Sequence, residues 1–96
     1  MRGEYYPLTH NGLRISVPEI KMQEGHSYWL KITYYNQYSL YCQYGVDKYY
    51  VAAPSQFTVE TLTVPYSSLN NEIVFYPEGG NRSIFIADII IEDFMK

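Results

Sequence analysis

Aromatic residues dominate the side chains of this sequence that could bind a ligand. The chain has 96 residues, of which 12 are tyrosine and 1 is tryptophan. Aromatic rings dock on the apolar C–H faces of sugars, and Tyr and Trp are enriched in protein–protein interfaces. The same residues could instead pack in the core or across strands, and the sequence leaves that alternative open. The candidate binding residues, for a glycan or a protein interface, are Trp29, Tyr35, Tyr38, Tyr41 and Tyr44.

Residues that could carry out catalysis are few and scattered. Nucleophilic catalysis needs a nucleophile, a base and an orienting group. The two histidines, His10 and His26, fall in turn-like segments, and neither the single cysteine, Cys42, nor any serine lies in a recognisable catalytic motif. Glu92 and Asp93 are neighbours on a predicted strand, so they point to opposite faces and cannot act as a hydrolytic pair. We therefore expect a protein that is not an enzyme.

One carboxylate stands inside an apolar segment. Asp88 interrupts the closing stretch IFIADIIIEDF, where it predicts a β-bulge, a satisfied polar network or a metal ligand. Together with Glu92 and Asp93 it could supply some of the about six to eight oxygens that calcium requires, but no calcium-binding loop motif is present. We expect hydrogen bonds to hold Asp88 and no cofactor to be bound, with a structural calcium ion as the alternative.

Charge and hydropathy limit the partners. The net charge is −3, and the 7 basic residues are scattered along the chain, which argues against nucleic-acid binding. No apolar run approaches the roughly 18 residues of a membrane span, and the first residues, MRGEYYPLTHNG, contain no apolar core of a signal peptide. The protein is expected to act where it is made or to be a module of a larger protein, and its localisation is not predicted.

The pattern of prolines and β-formers predicts strands. Five prolines interrupt most windows long enough for a helix, and the apolar runs are rich in Tyr, Ile, Val and Thr. Short strands between regular turn signals are typical of a sandwich or barrel within a single domain, residues 1–96. A short strand around Tyr5–Leu8 is a further expectation. The seven main predicted strands are Leu13–Val17, Ser27–Tyr35, Leu40–Tyr44, Tyr49–Ala52, Phe57–Val64, Glu72–Tyr76 and Ser83–Phe94.

Alternation with a period of two predicts which residues face the core. In the second strand the opposite face mixes Trp29 and Tyr35 with Lys31 and Thr33, which we expect to be exposed. The last strand is apolar on both faces, so it should lie centrally in its sheet or be covered by a partner. The predicted core set of the second strand is Tyr28, Leu30, Ile32 and Tyr34.

Two stretches carry a family resemblance. MQEGHSYWLKITYYN, with Gly25, Tyr28 and Leu30, resembles the glycine–spacer–tyrosine entry of galactose-binding-like β-sandwiches, among them carbohydrate-binding modules of families four and nine. IFIADIIIEDF resembles their last strand, in which an aspartate, here Asp88, interrupts an apolar run. The resemblance covers roughly residues 13–94. It implies an all-β, jelly-roll-like sandwich of two antiparallel sheets with a non-catalytic binding role.

Composition and resemblance together lead to two hypotheses about function. Similar sandwiches also occur as decoration and attachment domains on phage particles. Aromatic and charged residues each make up 18% of the chain, which is closer to an interface than to an ordinary soluble surface. The first hypothesis is an accessory component on the surface of a larger assembly such as a virion, in contact with other subunits or with copies of itself. The alternative is a carbohydrate-binding module with an aromatic platform.

Overall fold

The computed structural model describes residues 4–53 and 59–94 and contains eight β-strands. Within these ranges no residue is helical, as predicted, and therefore no helix is long and apolar enough to cross a membrane. The strands are β1 (Glu4–Leu8), β2 (Leu13–Ser16), β3 (Tyr28–Tyr35), β4 (Leu40–Tyr44), β5 (Asp47–Val51), β6 (Val59–Pro65), β7 (Glu72–Pro77) and β8 (Arg82–Asp93).

These strands agree with the sequence prediction to within two residues at most ends. The additional strand expected near Tyr5–Leu8 is present as β1. The strand predicted from Phe57 is described only from Val59, because its first two residues lie outside the described ranges. The expected single run from Ser83 to Phe94 corresponds to β8.

The strands form two antiparallel four-stranded sheets. One has the order β1-β8-β3-β6 and the other β2-β7-β4-β5, and we call them the β8 sheet and the β7 sheet. The strands pair as in the two arms of one long hairpin: β1 with β8, β2 with β7, β3 with β6 and β4 with β5. Every connection except the one from β4 to β5 crosses from one sheet to the other. Rolling up that hairpin places β8 beside β3 and β7 beside β4. This is the jelly-roll arrangement, so the predicted fold is confirmed.

The core lies between the sheets and is built mainly by the alternation of side chains along the strands. In β3 the predicted set Tyr28, Leu30, Ile32 and Tyr34 is buried, and Leu30 and Ile32 are fully enclosed. Lys31 and Thr33 were expected to be exposed but are half-buried. The reason is that β3 has neighbours on both sides, β6 and β8, whose outward side chains flank them.

A bulge explains the apolar pattern of β8. Thr33 pairs with Asp88 while the next residue, Tyr34, pairs with Ile86, so Ala87 is an extra residue in β8. Because successive side chains of a strand point to opposite faces, one extra residue exchanges the inward and outward positions of all the residues that follow it. The core-facing side chains are therefore Ile84 and Ile86 before the bulge and Ile89 and Ile91 after it. As predicted, β8 lies centrally in its sheet, between β1 and β3.

Candidate functional site

The five aromatic residues predicted as a binding platform do not share one surface. Trp29 and Tyr35 lie on the outer face of the β8 sheet, while Tyr41 lies on the outer face of the β7 sheet. Tyr38 is exposed in the connection of residues 36–39 that crosses between the sheets, and Tyr44 is buried. They separate because β3 and β4 belong to different sheets, although they are neighbours in sequence.

Tyr44 is a core residue and not a surface ligand, which corrects the sequence prediction. Leu40, Cys42 and Tyr44 are the inward side chains of β4, and Tyr44 is only 3% exposed. Its hydroxyl lies 2.8 Å from the carbonyl oxygen of Ser67 and 3.0 Å from that of Asn70. It also accepts a hydrogen bond from the backbone N–H of Ser67 at 3.1 Å. Tyr44 therefore holds the connection between β6 and β7 against the core.

Replacing Tyr44 by phenylalanine is expected to lower the free energy of unfolding by about 1–3 kcal/mol, since partly buried backbone groups of Ser67 and Asn70 lose their partner. Urea unfolding followed by circular dichroism measures the change. Tyr50→Phe is the matched control, because its hydroxyl donates a hydrogen bond to the exposed Glu78 carboxylate, at 3.2 Å, and to no other group of the described residues. An equal loss in both variants would contradict the anchoring role of Tyr44.

Three tyrosines form a row across the outer face of the β7 sheet. Tyr41 of β4 pairs in register with Tyr50 of β5 on one side and with Tyr76 of β7 on the other. The rings of Tyr41 and Tyr50 have centroids 5.3 Å apart and are tilted by 55°. We call Tyr50, Tyr41 and Tyr76 the tyrosine row. Tyr50 and Tyr76 were missed as candidates, although the short turn between β4 and β5 could have placed Tyr50 opposite Tyr41.

A lysine and a glycine shape this row. The Lys48 ammonium lies 4.9 Å from the ring centroid of Tyr41 and 5.4 Å from that of Tyr76, within the range of cation–π attraction. Gly12 has a φ of +84°, and a Cβ there would come within 2.8 Å of the Tyr76 ring. The absence of a side chain at Gly12 therefore leaves space for Tyr76 at the end of the row.

The outer face of the β8 sheet carries apolar side chains at its two ends, and the polar side chains of Lys31, Thr33, Thr61, Thr63 and Asp88 lie between them. The rings of Tyr5 and Phe85 lie 4.9 Å apart at one end, and those of Trp29 and Phe94 lie 5.5 Å apart, edge to face, at the other. Its ion pair, Lys31 with Glu92 at 3.0 Å, lies next to Trp29. We call this surface the apolar face. Its residues are Tyr5, Trp29, Tyr35, Val59, Phe85, Ile90 and Phe94.

Tyr38 lies beside the apolar face. Its ring is covered by the Arg82 guanidinium, 4.2 Å from the ring centroid, and its carbonyl oxygen accepts a hydrogen bond from the Asn36 side chain. The depression next to it has a volume of about 120 Å³, which is small for a binding cleft, and it joins two predicted residues, Tyr35 and Tyr38. Its lining residues are Tyr5, Tyr35, Asn36, Gln37, Tyr38 and Ser83.

Asp88 lies at the bulge, one of the three roles predicted for it. It is half-buried opposite Thr33, but the expected hydrogen bonds are not found among the described residues. Glu92 and Asp93 bind different groups, Lys31 at 3.0 Å and His26 at 2.8 Å. Within residues 4–53 and 59–94, no group of three or more His, Cys, Asp or Glu side chains could hold a metal ion.

No protein-family model, curated protein or solved structure matches the chain. Because the same fold occurs in viral capsid and lectin domains, the jelly roll alone does not identify a function. Function is therefore inferred from the two outer faces of the sandwich. One has apolar side chains at both ends and an ion pair next to Trp29, and the other carries the tyrosine row beneath Lys48.

Proposed function

We propose that the chain is a non-catalytic interaction module that attaches to a protein subunit of a larger assembly, as an accessory or decoration component such as one on a virion. The apolar face of the β8 sheet is the attachment surface. The supporting observation is its exposed apolar area: Tyr5 is 67% exposed, Val59 58%, Ile90 45% and Phe94 62%. These side chains form two exposed apolar clusters, one with Tyr5 and Val59 and one with Ile90 and Phe94, and exposed apolar clusters of this kind on a small protein mark an interaction site.

The dimensions of the apolar face suit a protein partner. Four strands about 4.8 Å apart and the eight residues of β3 at about 3.4 Å each give a footprint of roughly 500 Å². A matching footprint on a partner brings the total buried area to about 1,000 Å², which is the lower limit for a specific interface. Aromatic side chains, which are enriched in interfaces, lie at both ends of this footprint.

The attachment is tested with a double variant, Ile90→Ser with Phe94→Ser, in a tagged chain produced in its native host. Both side chains are exposed, so the fold should survive, which thermal unfolding checks. Losing the burial of two large apolar side chains is expected to weaken attachment at least about a hundredfold. In density gradients the unchanged chain should sediment with a large particle, and the double variant should remain at the top.

Tyr41→Ser on the opposite sheet is the matched control, and it should still sediment with the particle. A double variant that sediments like the unchanged chain would contradict attachment through the apolar face. If the unchanged chain associates only with copies of itself, as measured by light scattering, the partner is a second copy and the assembly proposal is wrong.

A carbohydrate-binding module is the second candidate function, and the tyrosine row favours it. The row crosses three neighbouring strands, so it is about 10 Å long, which suits a short oligosaccharide. Because it lies on the β7 sheet, it is independent of the apolar face. This function is supported if the protein binds a sugar on a glycan array, Tyr41→Ala abolishes the binding and Trp29→Ala leaves it intact. Sugar binding that is lost in Trp29→Ala but kept in Tyr41→Ala would contradict it.

A further inference from the structure

Lys48 lies above the tyrosine row and has no anionic partner in the part of the chain that the structure describes. It is exposed, its ammonium contacts the rings of both Tyr41 and Tyr76, and no carboxylate of the described residues pairs with it. The second cation of this face differs: Arg14 is bound to Glu72 at 3.0 Å. Among the described residues of this face, the positive charge of Lys48 is therefore the one that is available to a ligand.

One carboxylate lies at the Tyr50 end of the row and is already hydrogen-bonded to it. Glu78 accepts a hydrogen bond from the hydroxyl of Tyr50, at 3.2 Å. The row thus has an acidic group beside Tyr50 and a cation between Tyr41 and Tyr76. A ligand lying along the row meets a stacking surface, a positive centre and a negative end.

Contact with two rings also restrains Lys48. A lysine ordinarily loses considerable side-chain freedom when it binds an anion. Two cation–π contacts hold this ammonium over the row before any ligand arrives, which reduces the ordering cost of binding. The arrangement favours an anionic group that reaches Lys48 from solvent, as the carboxylate of a sugar stacked beside Lys48 on the row does.

We infer that the tyrosine row binds an acidic glycan, in which the carboxylate of a uronic acid residue pairs with Lys48 while a sugar ring stacks on Tyr50, the exposed ring of the row for which no contact with Lys48 is found. This inference rests on the second candidate function. A single available cation pairs with one carboxylate of such a chain at a time. Densely sulfated chains call for a cluster of basic residues, and this face provides only Lys48 and the already paired Arg14.

The test compares polygalacturonate with its fully methyl-esterified form, which has the same backbone without the charge. Affinity electrophoresis or calorimetry at low salt measures binding of the folded chain. The unchanged protein should bind the charged form at least about tenfold more tightly, and added salt should reduce the difference. Alginate, a second polyuronate with different stereochemistry, extends the comparison to other uronic acids.

Two variants assign the preference to Lys48. Lys48→Gln should remove the preference for the charged polymer, and Lys48→Arg should retain it, with unchanged thermal midpoints because the residue is exposed. Equal binding of both polymer forms, or a preference that survives Lys48→Gln, overturns the acidic-glycan inference but leaves glycan binding standing. The absence of binding to these polyuronates overturns the inference, and the absence of binding on a glycan array of neutral and acidic sugars removes the second candidate function as well.

Discussion

Replacing Ile32 by alanine is expected to lower the free energy of unfolding by about 2–5 kcal/mol. Ile32 is fully buried in the middle of β3, paired in register with Leu62 of β6 and Ile89 of β8. The loss combines the transfer free energy of the deleted carbons with the cavity that they leave, because the strands on both sides limit relaxation. Urea unfolding followed by tyrosine fluorescence measures the midpoint.

Thr33→Ala is the matched control for this prediction. Thr33 is the next residue of the strand and points to the outer face, where its hydroxyl lies 3.4 Å from that of Thr61. Its removal should lower the free energy of unfolding by well under about 1 kcal/mol. If Thr33→Ala is the more damaging change, the register of β3 is shifted by one residue and every face assignment in the strand reverses.

Alkaline pH is expected to destabilise the protein through Cys42. Burial raises the pKa of the Cys42 thiol from 9.0 to about 12. Below pH 9 the thiol is protonated in both folded and unfolded states, so it adds no pH dependence. Above pH 9 the unfolded chain loses this proton while the folded chain keeps it. The free energy of unfolding should therefore fall with a slope that approaches about 1.4 kcal/mol per pH unit, until the pH reaches the folded pKa.

Cys42→Ala separates this effect from the other titrations. Burial likewise raises the pKa of Tyr34 to about 12, but from 10.0, so Cys42 dominates between pH 9 and pH 10. We expect the variant to have a shallower pH slope than the unchanged protein in that interval, measured by urea unfolding at closely spaced pH values. Parallel slopes would mean that the Cys42 thiol reaches solvent in the folded state.

Most strands were predictable because local alternation determines them. In β3, Leu30 and Ile32 alternate with Lys31 and Thr33, and this pattern by itself separates the core side chains from the outward ones. The closing strand is different, because apolar residues occupy both its odd-numbered and its even-numbered positions. Its inner face depends on the bulge at Ala87, which exists only in the pairing of β8 with β3.

The candidate site was only partly predictable. The sequence identified the tyrosines as the binding chemistry and placed Tyr41 on a strand, but it grouped Tyr41 with Tyr44, which alternation sends into the core. Tyr50 comes opposite Tyr41 through a short turn between adjacent strands. Tyr76, by contrast, lies 35 positions after Tyr41, and no local pattern joins them.

The sequence by itself determined the β-strand content, the inward face of β3 and the abundance of tyrosine, since these follow from composition and a period of two along the chain. The tertiary structure alone decided which tyrosines share a surface. Jelly-roll pairing brings β7 beside β4, so Tyr76, Tyr41 and Lys48 meet on one face, whereas Trp29 lies on the other sheet. The physical reason is that such pairing depends on burying both sheets against one core, a property of the whole chain and not of any segment.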